Sequence, residues 1–156
     1  MRMRRKDREI TDKREIEKIL ENAFVCHLGL VDGDRPYVVP MNFAYHEGAI
    51  YLHCASQGRK LDIIRKNSNV CFEMELTPGT IIENGDQPCD WGTKFRSVIG
   101  NGKAVLLESP EEKIAALNIF MGRFSDVKFT FPEHEVLAVA VIRIDIEEMT
   151  GKVANE

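Results

Sequence analysis

The chain has 156 residues, 44% of them hydrophobic and 29% charged, with a net charge of −4, which is enough to bury a core without metals or disulfide staples. So mild a charge excludes a general nucleic-acid binder, whose affinity would rest on surplus Lys and Arg meeting phosphates. No apolar run approaches the roughly 18 residues of a membrane-spanning helix, and the basic opening MRMRRKDR lacks the apolar stretch of a secretory signal. The expectation is a cytoplasmic chain that meets neither nucleic acid nor membrane, one domain over residues 1–156 with residues 1–10 as a solvated basic arm.

Thr11 and Asp12 precede KREIEKILENA, where Ile16, Ile19 and Leu20 recur at helical spacing behind an acidic first turn; this predicts an amphipathic helix capped by Asp12. Three strand-like runs follow at 24–31, 36–45 and 49–55. Asp32-Gly33-Asp34 and His46-Glu47-Gly48 separate them, with Gly supplying the positive φ of a tight hairpin. Gly58-Arg59-Lys60 leads into a short helix, and NVCFEMEL (69–76) alternates as a strand. Residues 77–90, with Pro78, Gly79, Gly85 and Pro88, read as an irregular excursion or widened hairpin.

TKFRSVIGNGKAVLLE (93–108) is a long strand that Gly100 and Gly102 bend or bulge. Ser109-Pro110-Glu111-Glu112 opens a helix that continues through KIAALNIFMGRF. VLAVAVIRIDIEEMTGKV (136–153) is the last strand, its Val/Ile-rich centre buried on both faces. The fold class is mainly β with flanking helices: about six antiparallel strands, closed or partly closed into a barrel that leaves few exposed edges. A doubly wound sheet is excluded, since no βαβ alternation and no GxGxxG is present.

Ser56, Arg59 and Lys60 stand where a strand runs into a helix, and there they form either a polar solvated loop or an anion seat built from helical N–H groups, a hydroxyl and cations. Pro40, within Val39-Pro40-Met41-Asn42-Phe43, removes a ladder donor; it marks an edge or a bulge, where the following backbone is free to address a planar ligand. His53 is a base, a stacking group or a structural histidine, and Arg96-Ser97 forms a second, weaker polar pair. Trp91 and Phe95 either wall a planar ring or anchor a loop. Cys26, Cys54, Cys71 and Cys89 lack C-x-x-C spacing and are expected as free thiols, Cys54 and Cys71 in the core. Cys26-His27 and His53-Cys54 are neighbours on opposite strand faces, so neither pair chelates one metal, and no metal site is expected.

Three segments, FVCHLGLVDGDRPYVVPMNFAY, IYLHCASQGRKLDIIRKNSNVCFEME and FRSVIGNGKAVLLESPEEK, in this order and separation, resemble the FMN-binding split-barrel family related to pyridoxamine 5'-phosphate oxidase, closest to its nitroimidazole-resistance (Nim-type) branch. The resemblance implies a six-stranded split barrel and a homodimer with FMN at the subunit interface. It implies that Val39, Pro40, Met41 and Asn42 face the flavin ring, and that His53, Cys54, Ala55 and Ser56 follow the ribityl chain. Lys60 would grip the phosphate, Arg96 and Ser97 would add phosphate or ring-edge contacts, and Trp91 and Phe95 would lie near the ring. The implied activity is an FMN-dependent oxidoreductase that reduces a small nitroaromatic or other oxidised substrate, with His53 as catalytic proton donor. No late Arg-x-His set for pyridoxal phosphate is present. The alternative is a non-catalytic flavin-storing or heme-binding module on the same barrel.

Overall fold

A computed structural model describes residues 3–77, 79 and 81–155. A short strand, β1 (Glu9–Ile10), precedes helix α1 (Lys13–Asn22), whose cap Asp12 accepts the Arg14 N–H at 2.8 Å. Ile16, Ile19 and Leu20 form the buried side of α1, as their spacing predicts. Strands β2 (Cys26–Asp32) and β3 (Arg35–Met41) make the first hairpin. Strands β4 (Ala44–His46) and β5 (Ala49–Ala55) make the second, turning on Glu47 and Gly48 at φ 47° and 82°, the left-handed pair of a type I′ turn. Helix α2 (Arg59–Lys66) and strand β6 (Asn69–Leu76) follow.

The excursion after β6 holds a small hairpin, β7 (Ile81–Ile82) with β8 (Gly92–Thr93); Pro78, one of its breakers, lies outside the described residues. Strand β9 (Phe95–Leu107), helices α3 (Pro110–Gly122) and α4 (Glu133–Ala138) and strand β10 (Val139–Ala154) complete the chain. The last strand therefore starts three residues later than its apolar run suggests. Pro132 opens α4, and Lys113 on α3 donates to the carbonyls of Val136 and Val139, holding the helix-to-strand junction.

The main sheet runs β3-β2-β6-β9-β10-β5-β4, with β1 added to the far end of β10. Six of its strands have seven residues or more, giving the expected six-stranded split barrel. The expected single strand over 36–45 is broken at Asn42 and Phe43. Before the break, β3 pairs with β2; after it, β4 pairs with β5. These are the two ends of the sheet, so two residues carry the chain from one end to the other, and no ladder joins β3 to β5. Phe43 is fully buried and fastens this seam to the core.

Gly100 and Gly102 behave as expected, though the bulge lies in their partner, between Ile146 and Glu148 of β10. A Cβ at Gly100 would lie 2.8 Å from the Glu148 carbonyl and run into the Phe72 ring. Glycine is what lets the coiled strands approach there. At Val141 and Ile142, β10 is buried on both faces, one toward α3 and one toward the barrel interior. Cys71 corrects an expectation. Its alternation with buried Val70 and Phe72 puts it on the outer face, exposed, while Cys26 is the fully buried cysteine.

Arg123, just past α3, reaches across the molecule. Its guanidinium donates to the carbonyls of Leu20, Ala23 and Phe43 and lies over the Phe43 ring, 4.6 Å from its centroid. It thus binds the open end of α1 and the seam together, a cation at a helix C-terminus. Charge-assisted hydrogen bonds of this kind contribute about 2–3 kcal/mol, so Arg123→Ala should lower the urea-unfolding free energy by about that amount. Arg123→Lys should recover only part of the loss, because an ammonium cannot address several carbonyls from one plane. Unfolding midpoints of the three proteins decide it.

Candidate functional site

The seam runs into β4, where Ala44 is paired with Tyr51 of β5; the ladder ends at that pair, two residues before His53 on β5. On the β3 side, Val39 is half-buried, Pro40 is exposed, Met41 is buried and Asn42 is exposed. Pro40 sits on an edge strand, as its missing N–H requires. On the β5 side, His53 is exposed, Cys54 packs against the core, and Ala55 and Ser56 lead out to solvent.

The chain then turns at Gly58, whose φ of 134° favours glycine, and enters α2. Gly58 caps the helix without a side chain, so the first N–H groups, those of Arg59 and Lys60, have no acceptor within the helix. Lys60 makes no ion pair, and Ser56 no side-chain hydrogen bond, among the described residues. The two cations of the motif thus have different employment. Arg59 is bound at 3.0 Å to Asp32 and lies 4.7 Å over the Tyr37 ring, tying α2 to the β2–β3 hairpin. Lys60 remains for an anion, and with the capless helix start and the Ser56 hydroxyl it makes a donor set that fits a phosphate.

The other predicted residues are not gathered here. His53 is opposite Val141, and Val141 is opposite Leu107, at one end of the β9–β10 ladder. Arg96 and Ser97 are opposite Val153 and Lys152, at the other end, a dozen residues or roughly 40 Å of strand path away at about 3.3 Å per residue. Arg96 is ion-paired at 2.9 Å to Glu15 on α1, while Ser97 faces outward. Phe95 lies under Lys152, at 5.3 Å. Trp91 is exposed and gives its indole N–H to the Gly85 carbonyl at 3.2 Å, so it anchors its own loop.

Between these two ends spreads the outer face of β3, β2, β6 and β9. It carries exposed Val31, Val38 and Ile99, with Pro36 and Cys71, around an apolar groove of about 540 Å³. His27 and Glu73 meet on this face at 3.0 Å. Sequence reasoning missed this surface. Its signal was apolar Val31, Val38 and Ile99 at alternating positions where a solvated face would carry polar residues.

Residues 12–153 match the family described as pyridoxamine 5'-phosphate oxidase. The chain belongs to that family. It is 35% identical to a candidate 5-nitroimidazole antibiotic resistance protein from Bacteroides thetaiotaomicron, over 93% of this chain and 86% of the other, with a TM-score of 0.83. The flavocytochrome Anf3 from Azotobacter vinelandii shares the fold at 23% identity and a TM-score of 0.87, over 99% of this chain and 73% of that one. An FAD and heme binding protein from Mycobacterium smegmatis does so at 14% identity and a TM-score of 0.86, over 96% and 74%. No curated protein sequence matches.

His53 reaches solvent at one edge, yet packing removes water from part of its ring; this desolvation, then the Lys60 charge, lowers its proton affinity below the ordinary value of 6.5. The cysteines move the other way: burial pushes the Cys26 thiol up to about 12 and raises Cys54, and the outward-facing Cys71 is raised by partial desolvation and then by the Glu73 charge, so none of these three is poised as a thiolate nucleophile. Because folded His53 binds protons less readily than the unfolded chain, its stabilising contribution is complete above pH 6.5 and is lost as pH falls through its lower folded value. The paired carboxylate Glu15, lowered from 4.5 by Lys18 and Arg96, adds its loss at more acidic pH. Urea midpoints between pH 7.5 and 5 should fall for the wild type and fall less for His53→Gln; parallel curves would remove His53 from the titration.

Proposed function

We propose that this chain is a flavin-dependent oxidoreductase that holds FMN at the seam between β3 and β5 and reduces small nitroaromatic or similarly oxidised compounds. The observation that carries the proposal is the juxtaposition of an unzipped strand edge with a capless helix start and an unpaired Lys60. The edge suits a flat ring that hydrogen-bonds to backbone, and the helix start suits a phosphate. The nitroimidazole resistance protein at 35% identity supports the substrate class.

Flavin, when bound, supplies hydride and electron transfer; the protein supplies position and protons. Val39 to Asn42 would present backbone and the Asn42 amide to the ring edge. Ser56, Lys60 and the α2 N–H groups would hold the phosphate. His53, on β5 just past the end of the β4–β5 ladder, would hold the proton that an oxygen or nitrogen of the reduced substrate takes up.

A homodimer is part of the same proposal. One chain keeps its two polar groups at opposite ends of the β9–β10 ladder, with an apolar face between them. A second copy related by a two-fold axis would cover that face and bring its Ser97 end, with Phe95 and Trp91, toward the first copy's Lys60 end. Such isologous pairing is the commonest oligomer symmetry.

Purified protein should be yellow or take up FMN, bleach with NAD(P)H and recover colour with a nitroimidazole. A colourless protein that refuses FMN would refute the proposal, and a Soret band would replace it with heme binding. Lys60→Ala should weaken FMN binding about 10- to 100-fold while leaving riboflavin binding unchanged, the difference being one lost charge-assisted contact. The double variant Val38→Asp, Ile99→Asp should sediment as a monomer and bind FMN poorly; a dimer that keeps FMN would refute the interface.

A further inference from the structure

A ring contact, a nearby charge and a cross-strand neighbour set the surroundings of His53. From α3, the Phe120 ring meets it edge-on, with centroids 4.5 Å apart and planes at 76°. Phe120 is itself only 6% exposed and rests against Phe124, at 5.5 Å, so its place is set by the core. From α2 comes the Lys60 charge, which lowers the proton affinity of His53 and makes no ion pair among the described residues. From β10, the residue opposite is Val141, which is apolar and buried. Of the other charged groups on or beside these elements, Arg59 is paired with Asp32, Arg65 with Asp62 and Arg143 with Asp145, Lys113 donates to the carbonyls of Val136 and Val139, and Arg123 donates to three backbone carbonyls.

We infer that Phe120 is a positioning residue for His53, and that Lys60 couples the proton on His53 to the anion seated at the start of α2. The inference rests on the reading of that helix start as a phosphate seat. Without a bound anion, Phe120 strips water from one side of the imidazole and Lys60 opposes a positive charge on it, so both disfavour protonation of the ring. A phosphate bound by Lys60 cancels that opposing charge and adds a negative one. The imidazole then accepts a proton more readily. By linkage the converse holds, and a protonated His53 tightens the phosphate by the same factor. The proton is thus stored beside the substrate position only when the cofactor is in place. Phe120, fixed in the core, keeps the ring in that position.

The titration of His53 followed by NMR at its C2 proton, assigned with His53→Gln, tests this without any turnover. Riboflavin fills the ring position and lacks the phosphate, so it separates the two contributions. His53 should titrate at higher pH with FMN than with riboflavin. In Lys60→Gln the empty protein should already titrate higher, and the difference between the two flavins should shrink. In Phe120→Leu the empty protein should also titrate higher, with a broadened or shifted ring signal from the loosened imidazole.

Equal titration with FMN and riboflavin overturns the coupling, and an unchanged His53 signal in folded Phe120→Leu overturns the positioning role. If neither flavin binds, the flavin reading falls by itself. Inorganic phosphate added to the empty protein then replaces the flavins as probe. An upward shift that Lys60→Gln abolishes upholds the coupling, and no shift overturns it.

Discussion

Arg123 holds the place on which the rest of the structure depends. Its guanidinium lies over Phe43 and donates to the Phe43 carbonyl, while further N–H groups close the end of α1 at Leu20 and Ala23. Phe43 belongs to the two-residue step that carries the chain from one end of the sheet to the other. A barrel whose ends are joined by so short a step would gain backbone hydrogen bonds by zipping β3 onto β5. With Phe43 buried and its carbonyl accepting from Arg123, the step is fastened to the core, and α3, packed on both β5 and β10, carries that cation into reach.

The open seam leaves backbone groups of β3 without a strand partner, a state that sheets normally avoid. Two devices make it tolerable. Pro36 and Pro40 remove donors from the edge, and Asn42 and Pro40 remain at the surface where water satisfies what is left. The same choice makes the edge available to a flat polar-edged ligand. Charge is distributed with similar discrimination. Of the basic residues around the candidate site, Arg59 and Arg96 are committed to Asp32 and Glu15, while Lys60 makes no ion pair among the described residues.

Much of this was legible in the sequence because local chemistry decided it. The Asp12 and Ser109 caps, the Glu47-Gly48 turn and the alternation of β6 and β9 follow from short-range rules, and the glycines of β9 pointed to an irregularity that lies in the partner strand β10. The β5–α2 part of the site was legible for the same reason, being continuous in sequence from His53 to Lys60. What was not legible depends on register. The break at Asn42 cannot be read from VVPMNFAY, whose apolar residues suit one strand as well as two; it arises because β3 and β4 have different neighbours. Cys71 looked like core by composition, and only its phase against Val70 and Phe72 turns it outward. Phe120 lies 67 positions from His53 and carried no sign of their contact.

Register also decides how the two halves of the motif set can cooperate. In one chain, Lys60 and Arg96-Ser97 are kept apart by the length of the β9–β10 ladder, and no side-chain motion spans a dozen strand residues. A two-fold axis through the outer face would reverse the order of ends, so that each copy's near end meets the other's far end. The same operation would bury Val31, Val38 and Ile99, which as exposed apolar residues otherwise have no counterpart on this side of the molecule. One symmetric contact would therefore resolve both an incomplete site and an uncovered face. That economy distinguishes the outer sheet from the other exposed apolar positions, such as Val127 and Leu137 around α4, where covering the surface would complete nothing.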